Sequence, residues 1–466
     1  MAVTTTGASP GGAPDPTTDL VEGAPRGRWI EHWDVEDEGF WASTGRRVAR
    51  RNLVWSILAE HIGFSVWLLW SIVVVQMTAN PVTGAAAASG WALTTSQALW
   101  VVAVPSGVGA VLRLPYTFAV PVFGGRNWTV VSALALLVPC LGLAWVVDHP
   151  QTPYWALLAI AGTAGLGGGN FASSMANISF FYPEREKGWA LGLNAAGGNI
   201  GVAVVQKVVP VVVVAGGGVA LSRAGLLYVP LAVAAAVLAF LFMDNLREAK
   251  ADVGATAIAA RRGQTWLVSF LYIGTFGSFI GYSAAFPTLL KTVFARPDIA
   301  LTWGFLGALV GSLSRPAGGW VSDRLGGARV TAYSFAVMAL ASVGALLSVQ
   351  GKNLGMFFLS FVVLFLATGV GNGSTYRMIP ALFAAAARDR GDDVVTGKRE
   401  AAGALGIASA VGAFGGFLVP LAYAWSKAAT GTIVPALRFY IGVFVVMLLV
   451  TWVAYLRPGR GRGTAV

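Results

Sequence analysis

Long apolar runs alternate with short polar segments along most of the chain. Crossing a hydrocarbon core of about 30 Å takes roughly 20 residues as a helix, and each run approaches or exceeds that length. No run alternates strictly between apolar and polar positions as a barrel strand would, so helices are the expected form. The runs lie near 53–78, 97–123, 129–147, 153–181, 189–215, 222–244, 266–291, 301–322, 328–349, 354–384, 401–426 and 433–456. The pattern predicts an all-α membrane protein with twelve transmembrane helices in two pseudo-symmetric six-helix bundles.

The polar segments predict the domain organisation. The first 25 residues are rich in Pro, Gly, Thr and Ala and are expected to be disordered. The segment Trp29–Glu38 mixes tryptophan with acids and is expected to lie against the bundle or the membrane surface. We predict five parts: a cytoplasmic N-terminal segment (1–52), an N-terminal bundle (53–244), a cytoplasmic central loop (245–265), a C-terminal bundle (266–457) and a cytoplasmic basic tail (458–466).

Composition and charge fit a chain whose main solvent is the bilayer. Hydrophobic residues make up 56% of it and charged residues 11%, against about 25% charged residues in a soluble domain. The net charge is +11, but the basic residues lie in short loops and form no basic face with interleaved aromatics, so nucleic acid is not an expected partner. Most lysines and arginines outside the runs fall on one side, which predicts a multi-pass protein of the plasma membrane with both termini in the cytoplasm.

An internal repeat relates two arginines. Gly109 to Arg113 in the second run is followed by Gly124-Gly125, and Gly311 to Arg315 in the eighth run is followed at the same distance by Gly326-Gly327. Homologous halves of a transporter pack around a pseudo-twofold axis with the substrate near mid-membrane. The repeat therefore predicts that Arg113 and Arg315 face each other across a central cavity.

Two arginines inside apolar runs need a reason, because each costs about 2.5–3.5 kcal/mol at the middle of a spanning helix. Each could extend its charge to an interface or pair with an acid. Both lie several residues inside their runs, however, and Glu60 is the only carboxylate well inside one. A transported anion would balance the charge. Guanidinium is planar and offers paired donors, which suits a planar anion such as nitrate.

Glycine tracts in the fourth, fifth, tenth and eleventh runs allow close helix packing and the bending that alternating access requires. Gly167 to Met175 with Ala190 to Gly201, and Ala404 to Gly416, resemble the signatures of the nitrate/nitrite porter (NarK-type) family of the major facilitator superfamily. Gly319 to Gly326 resembles the general cytoplasmic loop motif of the superfamily. The resemblance covers about 52–457. It implies the twelve-helix major facilitator fold, transport of nitrate and nitrite, no enzyme activity, no cofactor and a monomer surrounded by membrane lipid.

The resemblance also implies substrate-binding residues. Arg113 and Arg315 resemble the two arginines that clamp the anion in the family. The remaining positions that match are Tyr272, Phe276, Phe171, Asn199 and Ser409. Aromatic walls suit a delocalised, weakly hydrated anion, since they exclude water while a few donors fix its orientation. Without the resemblance, packing in the bundle would be the preferred explanation for Phe171, Tyr272 and Phe276, because aromatic residues make up 11% of the chain.

The coupling mechanism stays open at this stage. Relatives divide between nitrate/nitrite exchangers and proton-coupled nitrate importers. Glu60 and His61 lie in the first run and Arg377 in the tenth, and spans one and ten commonly line the cavity in this superfamily. We hypothesise an intramembrane ion pair between Glu60 and Arg377, with protonation of Glu60 or His61 coupled to nitrate entry. A purely structural pair is the alternative.

Other classes of protein fit less well. His32, His61 and His149 lie in separate regions and Cys140 is the one cysteine, so neither a catalytic cluster nor a metal site is expected. An anion channel would tolerate the arginines, but the duplicated layout with flexible helices favours a carrier. Within the carriers, a transporter of phosphate or of organic anions is the main alternative.

Overall fold

The computed structural model describes residues 28–249 and 253–457. In the N-terminal half, a two-residue strand is followed by helices, a π-helical turn at Trp41–Gly45 and a 3₁₀ turn at Val74–Gln76. The elements are β1 (Trp29–Ile30), α1 (Glu38–Phe40), α2 (Arg46–Trp67), α3 (Trp70–Val73), α4 (Thr95–Phe123), α5 (Gly125–Ala135), α6 (Leu137–Val146), α7 (Tyr154–Thr163), α8 (Gly165–Phe181), α9 (Glu184–Val214), α10 (Ser222–Phe242) and β2 (Asn245–Leu246).

The C-terminal half repeats the helical pattern, with π-helical turns at Ile273–Gly277 and Trp452–Leu456. Its helices are α11 (Val253–Arg261), α12 (Gly263–Tyr272), α13 (Ser278–Phe294), α14 (Pro297–Trp303), α15 (Phe305–Leu325), α16 (Gly327–Gln350), α17 (Leu354–Arg390), α18 (Val394–Ala413), α19 (Gly415–Thr430) and α20 (Val434–Thr451). Helix α11 lies within the segment predicted as the central loop.

All twelve predicted runs are helical. Within the described residues, 10 helical stretches are long and apolar enough to cross a membrane. The fourth and eighth runs form α7–α8 and α14–α15, where glycines and polar or charged residues lower the hydropathy. The helices also extend past two predicted boundaries: residue 52 lies inside α2 and residue 265 inside α12.

The contacts between the two halves follow the internal repeat. Helix α4 of the N-terminal half packs against α18 and α19, and α15 of the C-terminal half packs against α9. The second span thus contacts the eleventh, and the eighth span contacts the fifth. The internal repeat relates these two contacts to each other. The arginine-bearing helices of both halves therefore lie at the interface between the bundles.

One end of the molecule carries β1, β2 and α11, and we call it the terminal face. Strand β1 pairs in parallel with β2, joining Trp29 to Asn245 and Ile30 to Leu246. The Trp33 ring packs edge-on against two rings, with centroid distances of 5.1 Å to Phe40 and 5.4 Å to Phe181. The segment after Trp29 thus lies against the N-terminal bundle. The residues predicted to be disordered, and the basic tail 458–466, lie outside the described residues.

At the opposite end, buried polar side chains join the two bundles. Lys291 Nζ on α13 donates hydrogen bonds to the main-chain oxygens of Val75, at 2.7 Å, and Thr78, at 2.6 Å. Gln206 Nε2 on α9 donates to Ser71 Oγ at 2.9 Å and to the main-chain oxygen of Ser283 at 2.7 Å. We call these four hydrogen bonds the outer contacts. Three of them join the bundles on the side away from the terminal face, and the fourth, from Gln206 to Ser71, lies within the N-terminal bundle.

Candidate functional site

Arg113 is fully buried at the interface between the bundles. Its Nε donates to the main-chain oxygen of Gly168 at 3.2 Å, within the N-terminal bundle. Its Nη1 crosses to the C-terminal bundle and donates to the main-chain oxygen and the hydroxyl of Ser409, at 2.9 and 2.8 Å. Its Nη2 has no hydrogen-bond partner among the described residues. A buried charged donor without a partner is costly, so a ligand at Nη2 would relieve a real penalty.

Arg315 reaches the same place from the C-terminal bundle. Its exposed fraction is 6%, and its Nη1 has no partner among the described residues. The Cζ atom of Arg113 lies 4.6 Å from the centroid of the Phe171 ring, and that of Arg315 lies 5.9 Å from the same centroid. No carboxylate forms an ion pair with either arginine within the described ranges. Two guanidinium groups therefore converge on one ring, and among the described residues no carboxylate is in direct contact with either.

Aromatic rings wall this arginine pair. The Phe276 ring lies 4.9 Å from Arg113 Cζ, stacks on Phe171 at 6.1 Å and stacks on Tyr272 at 5.2 Å. Phe276 lies in the π-helical turn Ile273–Gly277, directly after Tyr272, and such turns are frequent at functional sites. Tyr272 fits because residue 412 is glycine: a Cβ at Gly412 would lie 2.4 Å from Tyr272 Cδ1.

Two further predicted residues bring polar atoms that lack partners. The Tyr272 hydroxyl is buried without a partner in the described part of the chain. Asn199 on α9 is fully buried, and neither its amide nitrogen nor its amide oxygen has a partner there. Native proteins rarely leave buried polar groups unpaired, so each of these groups calls for an explanation, and a ligand that bonds to it is one. Among the described residues, by contrast, no group of three or more His, Cys, Asp or Glu side chains is placed to hold a metal ion.

A cavity of about 540 Å³ leads from these residues towards the terminal face. At one end Phe171, Tyr376 and Ser409 line it, close to the arginine pair. At the other end it reaches Lys187 near the start of α9 and Thr256 of α11. Because the outer contacts close the opposite side, the structure has the geometry of a carrier whose site opens to one face only.

Tyr376 is a site residue that the sequence analysis missed. The Arg315 Cζ lies 5.6 Å from its ring centroid, and the ring lies 6.1 Å from that of Tyr272. It belongs to α17 and precedes Arg377, a charged residue within the tenth apolar run. An aromatic residue next to that arginine is the only signal in the sequence, and aromatic residues, at 11% of the chain, are too common for this signal to be specific.

The predicted ion pair between Glu60 and Arg377 is wrong. Arg377 Nε donates to Asp323 Oδ1 at 2.7 Å, and the two side chains are 57% and 51% exposed, so Arg377 belongs to the terminal face. Glu60 is fully buried and accepts hydrogen bonds from Ser174 and Asn194 instead. Arg377 lies within the tenth apolar run, which ends near 384, but on an exposed side of α17. This helix continues past the run to Arg390, so the arginine lies close to the end of the span.

The His61 side chain pairs with neither Glu60 nor Arg377. Its Nδ1 lies 3.0 Å from the main-chain oxygen of Gly197, where a neutral ring can donate. The three predicted coupling residues therefore have three different environments, and Glu60 alone is fully buried.

Comparison with known proteins shows the family of this chain. The family model described as the Major Facilitator Superfamily matches residues 56–420. The chain is 40% identical to the nitrate/nitrite transporter NarU of Salmonella typhimurium, covering 92% of this chain and 96% of the relative. It is 34% identical to the probable nitrate/nitrite antiporter NarK2 of Thermus thermophilus, covering 93% and 98%.

A solved structure supports the fold alone. The D-xylose–proton symporter superposes with a TM-score of 0.65 at 16% identity, covering 86% of this chain and 96% of that one. The family model and the relatives extend across the span that carries both arginines, the aromatic wall and the duplicated helices. The chain therefore belongs to the major facilitator superfamily and, within it, to the family of nitrate/nitrite transporters.

Proposed function

We propose that this protein carries nitrate and nitrite across the plasma membrane by alternating access, with the anion bound between Arg113 and Arg315. The observation that carries the proposal is the convergence of two buried guanidinium groups, one from each bundle, on the Phe171 ring. The substrates follow from the names of the relatives, which are nitrate/nitrite transporters. No chemical step occurs in this proposal, so the protein acts as a carrier and not as an enzyme.

The free donors suit a small planar anion. Arg113 Nη2 and Arg315 Nη1 come from opposite bundles and have no partner among the described residues. Nitrate spreads one negative charge over three coplanar oxygens, so two guanidinium groups can each donate to it in or near its plane. The rings of Phe171 and Phe276 exclude water around the ion. The Tyr272 hydroxyl and the Asn199 amide supply the further donors that would fix its orientation.

The same residues explain how binding could drive a change of state. Arg113 contacts Ser409 across the interface, and Arg315 approaches Phe171 across it from the other side. An anion that neutralises both arginines lowers the repulsion between the bundles at this point. The loaded carrier can then close over its passenger and reopen on the other side. We assign the terminal face to the cytoplasm, as the lysine and arginine bias indicates.

Counterflow tests the proposal. The purified protein is reconstituted into lipid vesicles loaded with nitrite, and external labelled nitrate is followed in the absence of a pH gradient. Saturable nitrate entry that depends on internal nitrite supports a nitrate/nitrite carrier. Entry that does not saturate would indicate a channel, and entry that phosphate or organic anions block more strongly than nitrite would indicate the alternative substrate class.

A further inference from the structure

Glu60 is a buried carboxylate that the anion site does not use. It lies on α2, is fully buried and forms no ion pair among the described residues. Ser174 on α8 donates to its Oε2, and Asn194 Nδ2 on α9 donates to the same oxygen at 2.7 Å. The other oxygen, Oε1, has no partner in the described part of the chain. The chain therefore keeps an acid in its interior with neutral donors on one oxygen only, an arrangement that a protonated carboxyl group also satisfies.

The fold makes room for this acid. A Cβ at Gly198 would lie 2.6 Å from Glu60 Oε1, so glycine at this position leaves space for the carboxyl group. Gly198 immediately precedes Asn199, a predicted contact of the anion. The acid and this predicted contact thus share one turn of α9.

A second path through α8 connects Glu60 to Arg113. Arg113 Nε donates to the main chain of Gly168, and Ser174, which donates to Glu60, lies further along the same helix. Gly168 and Ser174 lie less than two helical turns apart, about 9 Å at 1.5 Å per residue. Phe171, which contacts both arginines, lies between them. Glu60 is therefore close to the anion site, although it does not touch the arginines.

The charges around Glu60 are those of the anion site. Arg315 and Arg113 are the charged groups whose fields act on it, and Tyr376 interacts with it electrostatically from α17. On its own helix, His61 is the adjacent titratable residue and points to the main chain of Gly197. Helices α8 and α9 present neutral donors to it. A negative Glu60 thus balances part of the charge of the arginine pair when no anion is bound.

The cavity approaches this acid through the neighbours of its hydrogen-bond donors. Met175 and Leu191 line the cavity, and Asn194 Nδ2, which donates to Glu60, lies 3.7 Å from Met175 Sδ. Lys187, Leu191 and Asn194 lie on one face of α9, which leads inward from the terminal face. The Ser56 and Ser174 hydroxyls, 3.1 Å apart, provide a further pair of groups that can donate or accept.

We propose that Glu60 is the proton-carrying residue of this transporter and couples the inward movement of nitrate to that of one proton. This inference rests on the proposed function. Nitrate and an ionised Glu60 repel each other across a low-dielectric interior, so nitrate binds better when the carboxyl group is protonated. By linkage, bound nitrate favours the proton on Glu60. The carboxylate accepts one proton from water on the outer side, forming an O–H bond, and returns it to water on the inner side after the anion has left. No electrons are transferred.

The test measures proton and nitrate movement on the same vesicles. The full chain is reconstituted into phosphatidylethanolamine–phosphatidylglycerol vesicles with a trapped pH dye, the membrane potential is clamped, and nitrate is added outside at equal pH. The wild type is expected to acidify the lumen. Glu60→Gln is expected to slow this acidification about tenfold or more, because glutamine cannot release a proton. The exposed Asp298→Asn serves as control and is expected to acidify the lumen as the wild type does.

Nitrate affinity provides a second measurement. If one proton is linked to binding, the Kd of the wild type for nitrate rises by up to about tenfold per pH unit above its midpoint. Glutamine mimics the protonated carboxyl group, so Glu60→Gln is expected to bind nitrate with an affinity that no longer depends on pH. If that variant does not fold, Ser174→Ala, which removes one donor to Glu60 and keeps the acid, is expected to shift the pH midpoint.

Several outcomes would overturn the proposal. One is a wild type that shows normal nitrate/nitrite counterflow but no nitrate-driven acidification. This outcome leaves the proposed function intact and excludes proton coupling. Another is a Glu60→Gln protein that still acidifies the lumen with nitrate, or one that is folded but has lost nitrate binding. A pH midpoint unchanged in Ser174→Ala would also exclude Glu60. Absence of counterflow in the wild type would instead reject the proposed function itself.

Discussion

Arg113 and Ser409 form a hydrogen-bonded pair across the interface between the bundles: Nη1 of the arginine donates to the main-chain oxygen of Ser409 at 2.9 Å and to its hydroxyl at 2.8 Å. An arginine of one half is thus fixed by the other half. In a carrier whose halves rock against each other, such a pair must break or be replaced when the site changes its access. A bound anion next to Arg113 can compensate for its loss.

We predict that Ser409→Ala weakens nitrate transport moderately. The variant loses the hydroxyl acceptor but keeps the main-chain acceptor, so the loss is about 1 kcal/mol, or roughly fivefold in KM for nitrate. Concentration-dependent nitrate uptake in vesicles measures it. Ser426→Ala is the matched control, because the Ser426 hydroxyl is also buried in the C-terminal bundle and bonds a main-chain oxygen, that of Thr432 at 2.8 Å. An equal effect of both variants would count against a role for Ser409 in the site.

We predict that Arg113→Lys and Arg315→Lys each reduce nitrate transport severely. Lysine keeps the charge but loses the planar pair of donors, and a hydrogen bond to a charged group is worth about 1.5–3 kcal/mol, so roughly 10- to 100-fold is expected. Counterflow rates measure the effect. Arg296→Lys is the control, since Arg296 forms an exposed pair with Asp298. Near-normal counterflow in either site variant would reject the clamp.

Removal of the Tyr272 hydroxyl group is expected to weaken nitrate binding without lowering the stability of the protein. Because this hydroxyl has no partner among the described residues, Tyr272→Phe is expected to leave the Tm unchanged or slightly higher while raising KM for nitrate roughly tenfold. Tyr423→Phe is a close control, since Tyr423 is also fully buried with an unpartnered hydroxyl but lies outside the aromatic wall. Thermal unfolding and uptake are measured on both proteins. A KM for Tyr272→Phe equal to that of the wild type would contradict the assignment.

The outer contacts predict a shift in the population of states. Lys291→Met removes both hydrogen bonds to Val75 and Thr78, so the side away from the terminal face is expected to open more often. A cysteine introduced at Thr78, which is buried, reports this opening through its rate of alkylation by a membrane-impermeant reagent. The single native cysteine, Cys140, is fully buried and gives little background.

We expect the alkylation rate at position 78 to rise tenfold or more in the Lys291→Met background, because a single hydrogen bond from a charged donor contributes about 1.5–3 kcal/mol, or roughly 10- to 100-fold, to the closed state. A variant with Lys352→Met, on an exposed turn, provides the comparison. Equal rates in all backgrounds would show that Lys291 does not hold the bundles together.

The internal repeat was the most informative feature of the sequence. It relates Arg113 to Arg315 through spacing alone, and the structure places both against Phe171. The apolar runs predicted the helices for the same reason that the bilayer imposes them: backbone groups in hydrocarbon must be satisfied within the segment. Boundaries were less accurate, because helices such as α2 and α17 extend past the apolar runs into water.

Hydropathy, spacing and charge were enough to predict the helices, the twofold relation between the halves and an anion bound to two buried arginines. Which side chains meet could be read only from the folded chain. It placed Arg377 on Asp323 at the terminal face, left Glu60 with Ser174 and Asn194, and brought Tyr376 to Arg315. The physical reason is that partners across helices depend on the rotation and axial offset of each helix against its neighbours, and many distant contacts set these together.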